Sequence, residues 1–129
     1  MKKSLTLVLM TLAASAALLV LAGVASARNG DVSAAGTCSG SSTSKIKLGP
    51  RDGAIEVQFE VDQNRNGVVW NVSLTQNGSV VFSGTAKTKA PSGSFEVRRT
   101  LVNTAGSDVI VGMAINPATG ETCIASATV

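Results

Sequence analysis

Histidine and tyrosine are absent from the chain, and the first absence narrows its chemistry before any motif is read. Without histidine, no side chain with an ordinary pKa near neutrality is present to activate a serine or cysteine nucleophile, and a zinc site loses a common nitrogen ligand. Aromatic rings are nearly as scarce, with three Phe and one Trp. Sugars and single-stranded nucleic acids are gripped by exposed aromatic platforms. Phe59, Trp70, Phe82 and Phe95 all fall at inward positions of the strand pattern described below, which leaves none for that purpose.

The basic excess, 11 Lys+Arg against 8 Asp+Glu, belongs largely to the N-terminus. Lys2 and Lys3 precede an apolar run over residues 5–24 and then Ala25-Ser26-Ala27. That is a charged region, a hydrophobic region and a small-residue cleavage site, so residues 1–27 read as a secretory signal peptide cut before Arg28. The run, about 20 residues, also has the length of a membrane span, which leaves an uncleaved N-terminal anchor as the alternative. The crowding of Ala and Ser at its end favours cleavage. Val24 stands where a lipoprotein signal requires cysteine. Once the leader is gone, nine basic residues face eight acidic ones, and no field remains to hold nucleic acid.

About 100 residues then remain, enough for one compact domain. Cys38 and Cys123 stand near its two ends. In an exported chain an even cysteine count implies a disulfide. The loop it closes is roughly 85 residues, for which chain-entropy reasoning gives about 4 to 5 kcal/mol. Two thiolates without histidine fall short of a zinc shell.

Between the cysteines the apolar residues recur at every second position. In "AIEVQFEVD", Ile55, Val57, Phe59 and Val61 share one face, while Glu56, Gln58, Glu60 and Asp62 share the other. This is a half-buried strand with an acidic outer side. After "DQNRNG" the period resumes with Val68, Trp70, Val72 and Leu74 inward. Asn77-Gly78 then marks a hairpin. Further strands are expected over residues 44–48, 80–86, 94–102, 108–116 and 121–128, separated by "GPRDG", "APSG" and "NPATG". The pattern predicts an all-β fold: a single seven-stranded antiparallel sandwich over residues 37–129, preceded by a flexible leader over residues 28–36. Strict alternation in Phe95, Val97, Arg99, Leu101 would aim Arg99 at the core. A bulge near Arg98-Arg99, or an edge position where the guanidinium snorkels, is therefore expected.

The single Trp70 in the third strand, the hairpin "NGSVVFSG" and "TAGSDVIVGMAIN" followed by "TGETC" resemble strands C to G of an immunoglobulin or fibronectin type III domain. The immunoglobulin cysteines on strands B and F and the tyrosine corner are missing. The resemblance instead places Cys38 and Cys123 on the first and last strands, neighbours at one end. The run from "SSTSKIKL" through "APSGSFEVRR" also resembles a group of small exported bacterial proteins without an assigned function. An immunoglobulin-like superfold carries no single activity with it.

Few residues propose a chemistry. Asp62, Asn64 and Asn66, closed by Gly67, match the first half of a calcium loop. Position 9 of that pattern is Trp70 and position 12 is Ser73, however, where a bidentate Glu belongs. A polar turn using Asn66-Gly67 for positive φ is the simpler reading. Glu56 and Glu60 share a strand face and read as a solvated stripe. Lys45, Lys47, Lys87, Lys89, Arg98 and Arg99 form a scattered basic set that suits solubility and edge protection. Asn71 and Asn77 open glycosylation sequons by pattern alone. The expectation is a non-catalytic, secreted, monomeric binding module with no cofactor, metal, nucleic acid or membrane partner. It would contact an extracellular or cell-envelope protein through a loop end or a sheet edge. The alternative is a secreted hydrolase inhibitor that offers Lys89-Ala90-Pro91-Ser92 as a rigid loop.

Overall fold

The computed structural model describes residues 30–129; the segment read as a signal peptide lies outside the described residues. Nine strands run in chain order: β1 (Val32–Ala35), β2 (Thr37–Cys38), β3 (Thr43–Arg51), β4 (Ala54–Asp62), β5 (Val69–Gln76), β6 (Ser79–Lys87), β7 (Ser94–Val102), β8 (Val109–Ile115) and β9 (Thr122–Thr128). They form two antiparallel sheets, ordered β1-β3-β4-β7 and β2-β9-β8-β5-β6, which pack as a β-sandwich. No helix among the described residues is long and apolar enough to cross a membrane.

The strand count corrects the expected seven, and the difference lies at the front of the chain. Part of the expected leader is β1, which pairs with β3 and sets Val32 against Leu48 and Ala34 against Ile46. Two small apolar residues make too short a pattern to read as a strand; the partner supplies what the sequence does not show. The chain then changes sheet at Gly36. A Cβ there would stand 2.2 Å from the Ile124 carbonyl oxygen and 2.3 Å from Ser44 Oγ, so only glycine fits the crossing. β3 also runs on through Gly49-Pro50-Arg51, expected as a turn. Its pairing with β1 stops at Leu48, so Pro50 lies where that flank has no ladder and its missing N–H is tolerated.

β4 has the bounds its alternation predicts, with Ile55, Val57, Phe59 and Val61 all buried. Asn77 and Gly78 both adopt positive φ, 50° and 85°, as a two-residue hairpin of this twist requires. Phe59 and Trp70 are the largest buried side chains. Phe59 fits because β8 carries glycine opposite it: a Cβ on Gly112 would come within 2.6 Å of the ring. Arg99 takes the edge solution. β7 ends its sheet, its register with β4 is unbroken, and the guanidinium lies 4.0 Å from the centre of the Phe82 ring. A register irregularity does occur in the other sheet, at Leu74/Thr75 in the β5–β6 pairing. Phe82 is only half-buried, at the open side between β6 and β7.

At the β5–β6 end, Asp108 is fully buried and ties the β7–β8 connection to the β5–β6 turn. Its carboxylate accepts from the Thr104 hydroxyl, from Thr104 N at 3.0 Å, and from the Gln76 and Asn77 amides at 2.9 and 3.1 Å. The Thr104 hydroxyl bond leads the effects that hold its pKa below the ordinary 3.8, against the opposing pull of burial. A depressed carboxylate contributes stability above its unfolded-state pKa and loses it as pH falls through the folded one. Melting curves taken downward from neutral pH should therefore show an acid loss of stability that is smaller in Asp108→Asn. That variant should also melt lower than the parent at pH 7, because an amide cannot accept from all four donors.

Candidate functional site

The opposite end of the sandwich holds an open cleft of about 710 Å³, lined by residues 39–41, 63–65 and 119–121. Three connections meet there: β2–β3, β4–β5 and β8–β9. Each is tied to the frame by a different device.

The β2–β3 connection follows Cys38, which is bonded to Cys123 directly across the β2–β9 ladder. The ladder continues into it through Ser39 N to the Thr122 carbonyl and Thr122 N to Ser39 Oγ, both 2.9 Å. Glu121 closes the wall by accepting from Ser42 Oγ at 2.7 Å and Ser42 N at 3.1 Å. Its carboxylate passes over Gly40, where a Cβ would sit 2.3 Å from Oε2.

The β4–β5 connection is "DQNRNG". Asp62 Oδ1 accepts from Asn64 N at 2.9 Å, a local turn in which Asn64 and Gly67 take positive φ, 56° and 78°. The second asparagine, expected in that role, is not the one that turns. The loop is held from beneath: Trp70 Nε1 donates to Gln63 Oε1 at 3.0 Å, and the buried Thr88 donates to the Arg65 carbonyl at 2.6 Å while accepting from Val68 N. Gly93 is pressed against it, since a Cβ there would meet Arg65 N at 2.2 Å. Of the calcium candidates, Asp62 thus supplies a turn, and Asn64 and Asn66 are exposed. Among the described residues no three of His, Cys, Asp and Glu gather as a metal cluster.

The β8–β9 turn is built on Asn116, a buried residue whose side chain accepts from Ala118 N at 2.9 Å and whose backbone pairs with Glu121. The cleft therefore presents one cation at Arg65, one carboxylate at Glu121, hydroxyls and peptide groups, and no ring. Such a lining suits a polar surface with donors and acceptors of both kinds.

The other sequence candidates are dispersed. Glu56 pairs with Arg51 at 3.3 Å and Glu60 with Lys45 at 3.7 Å, so each carboxylate has its own cation. The basic set is divided: Lys47 meets Asp31 at 3.6 Å, Arg98 bonds Glu96, and Lys87 is on the other sheet. The segment from Lys89 is a closed turn. Lys89 N donates to the Ser94 carbonyl and Gly93 N to the Lys89 carbonyl, both at 2.9 Å, so Lys89-Ala90-Pro91-Ser92 stands in a tight exposed turn. Glu121 and Ser42, 79 positions apart, and Thr88, 23 from the Arg65 carbonyl it serves, are not legible as site residues, because nothing local marks a residue whose partner lies far along the chain. No protein-family model matches the chain, and no curated protein matches its sequence.

Proposed function

We propose that this protein is an exported, non-catalytic binding module that holds a polar partner, an extracellular or cell-envelope protein, in the cleft between residues 39–41, 63–65 and 119–121. The observation that carries the reading is the support of that cleft. A disulfide, a part-buried Trp–Gln bond, a buried threonine and two glycines too close to neighbours for a side chain all brace its walls. A preorganised surface gives up little conformational freedom on binding. The disulfide supports export. The sandwich is read as immunoglobulin-like because β9-β8-β5-β6 repeats the G-F-C-C′ order of a variable-type sheet. The other sheet supports the same reading, since β3-β4-β7 stands in the A-B-E order with the crossing between sheets at β4–β5; the departure lies in the short β1 and β2 that precede β3.

Binding of the labelled exported protein to envelope material tests the reading. Wild type should saturate, while Arg65→Glu and Thr119→Arg, both exposed, should lose at least about tenfold in affinity with unchanged melting. Wild-type binding by both variants would refute the cleft as the site.

A further inference from the structure

The two outer faces of the sandwich differ in kind. Three ionisable side chains stand on each of β3, β4 and β7, whereas the five strands of the other sheet carry one in total, Lys87 at a corner. In place of charge, that sheet shows an apolar ridge along β8. Val109, Met113 and Ile115 are 42%, 36% and 39% exposed, and Ile124 of β9 is 41% exposed beside Met113. Ser73 flanks Met113 on the other side. A sheet face turned to water ordinarily carries polar and charged side chains at these positions. A charge-depleted centre containing Met and branched aliphatics is the composition of an interface core.

We infer that this face packs against the same face of a second copy of the chain. The charge distribution selects that occupant. The face offers nothing to complement a charged partner, and a second copy supplies an equally neutral one. A two-fold arrangement also leaves both charged sheets on the outside, where they keep the pair soluble. The relief is compatible as well, since β5 beside the ridge carries the smaller Asn71, Ser73 and Thr75, against which an opposing ridge can settle. Aligned sheets pack face to face at about 10 Å separation. β2 has only two residues, so four full strands at about 4.8 Å and seven residues at about 3.4 Å make a face of roughly 19 by 24 Å. Two such faces together cover roughly 900 Å², the size of a weak contact that fills only at high concentration. The contact is isologous, so it closes as a dimer and does not propagate. It replaces the monomer expected from the sequence and is independent of the loop-end cleft.

Sedimentation equilibrium on the exported protein, from micromolar to near-millimolar concentration, should show the mass rise from one chain to two. Met113→Glu should raise the dissociation constant at least about tenfold by burying a charge at the centre. Should that variant lose its fold by near-ultraviolet circular dichroism, Met113→Thr, which keeps a strand-forming side chain, should weaken the dimer in the same direction. Thr100→Glu, exposed on the opposite sheet, should leave the dimer intact. Met113 is the last methionine in the chain, the others being Met1 and Met10, so its oxidation by peroxide is read directly by mass and should slow as the dimer fills. A single-chain mass at every concentration overturns the proposal, as does a dimer that survives the folded Met113 variants.

Discussion

Changing Cys38 and Cys123 together to alanine lowers the unfolding free energy by about 4 kcal/mol. The bond closes a loop of 85 residues, nearly the whole described domain. Most of the loss therefore comes from freeing the unfolded chain. The folded contribution is smaller but specific: β2 has only two residues, and the bond joins it to β9 at directly opposed positions. For a domain of about 100 residues, 4 kcal/mol corresponds to a fall in melting temperature of roughly 15 to 30 °C. Urea titrations of the parent and the double variant check this. The dependence on denaturant should also steepen in the variant, because an unfolded chain without the cross-link exposes more surface. Equal midpoints for the two proteins would remove the bond from the list of what holds this fold. The cleft should feel the change as well, since one of its walls begins at the residue after Cys38.

Trp70→Ala should cost about 3 to 5 kcal/mol, on the scale of other large buried aromatics. The indole is fully buried, its ring centre lies 6.2 Å from that of Phe95, and its N–H satisfies Gln63 Oε1. Truncation thus leaves both a cavity between the sheets and an acceptor without its donor. Trp70→Phe separates the two effects: most of the volume stays, the bond is lost, and about 1 to 3 kcal/mol should go with it. Domains of this size are stable by only about 5 to 15 kcal/mol, so the alanine variant approaches the threshold of folding. Amide exchange localises the consequence. In Trp70→Phe, the amides of residues 63–67 should exchange faster by more than the global loss of stability accounts for, while those of β3 and β4 should speed up only by that global amount. Uniform acceleration across the domain would mean that the Trp70–Gln63 bond does not brace the loop.

Much of this molecule is legible along the chain, and the reason is local. Whether a side chain faces in or out of a strand depends on its parity, so "AIEVQFEVD" yields β4 with its bounds intact. Whether a turn can close depends on which residues tolerate positive φ, so Asn77-Gly78 is legible too. The two cysteines are legible as a pair because an even count behind an N-terminus that reads as an export signal leaves little else for them to do.

Tertiary structure decided the rest, because parity says which face of a strand is apolar and nothing about which strand will lie beside it. That Val32–Ala35 is a strand follows from β3 lying alongside it. Arg99 keeps its place in an unbroken ladder because β7 is an edge, and the sequence cannot say which strands are edges. "DQNRNG" has the oxygens of half a metal loop by itself; Trp70 of β5 with Thr88 and Gly93 of the β6–β7 connection make it one wall of a cleft. The uncharged face exists only once five strands that are scattered in sequence stand side by side. Each of these features depends on groups far apart along the chain, and only the folded arrangement brings them within the few ångströms over which packing and hydrogen bonding act.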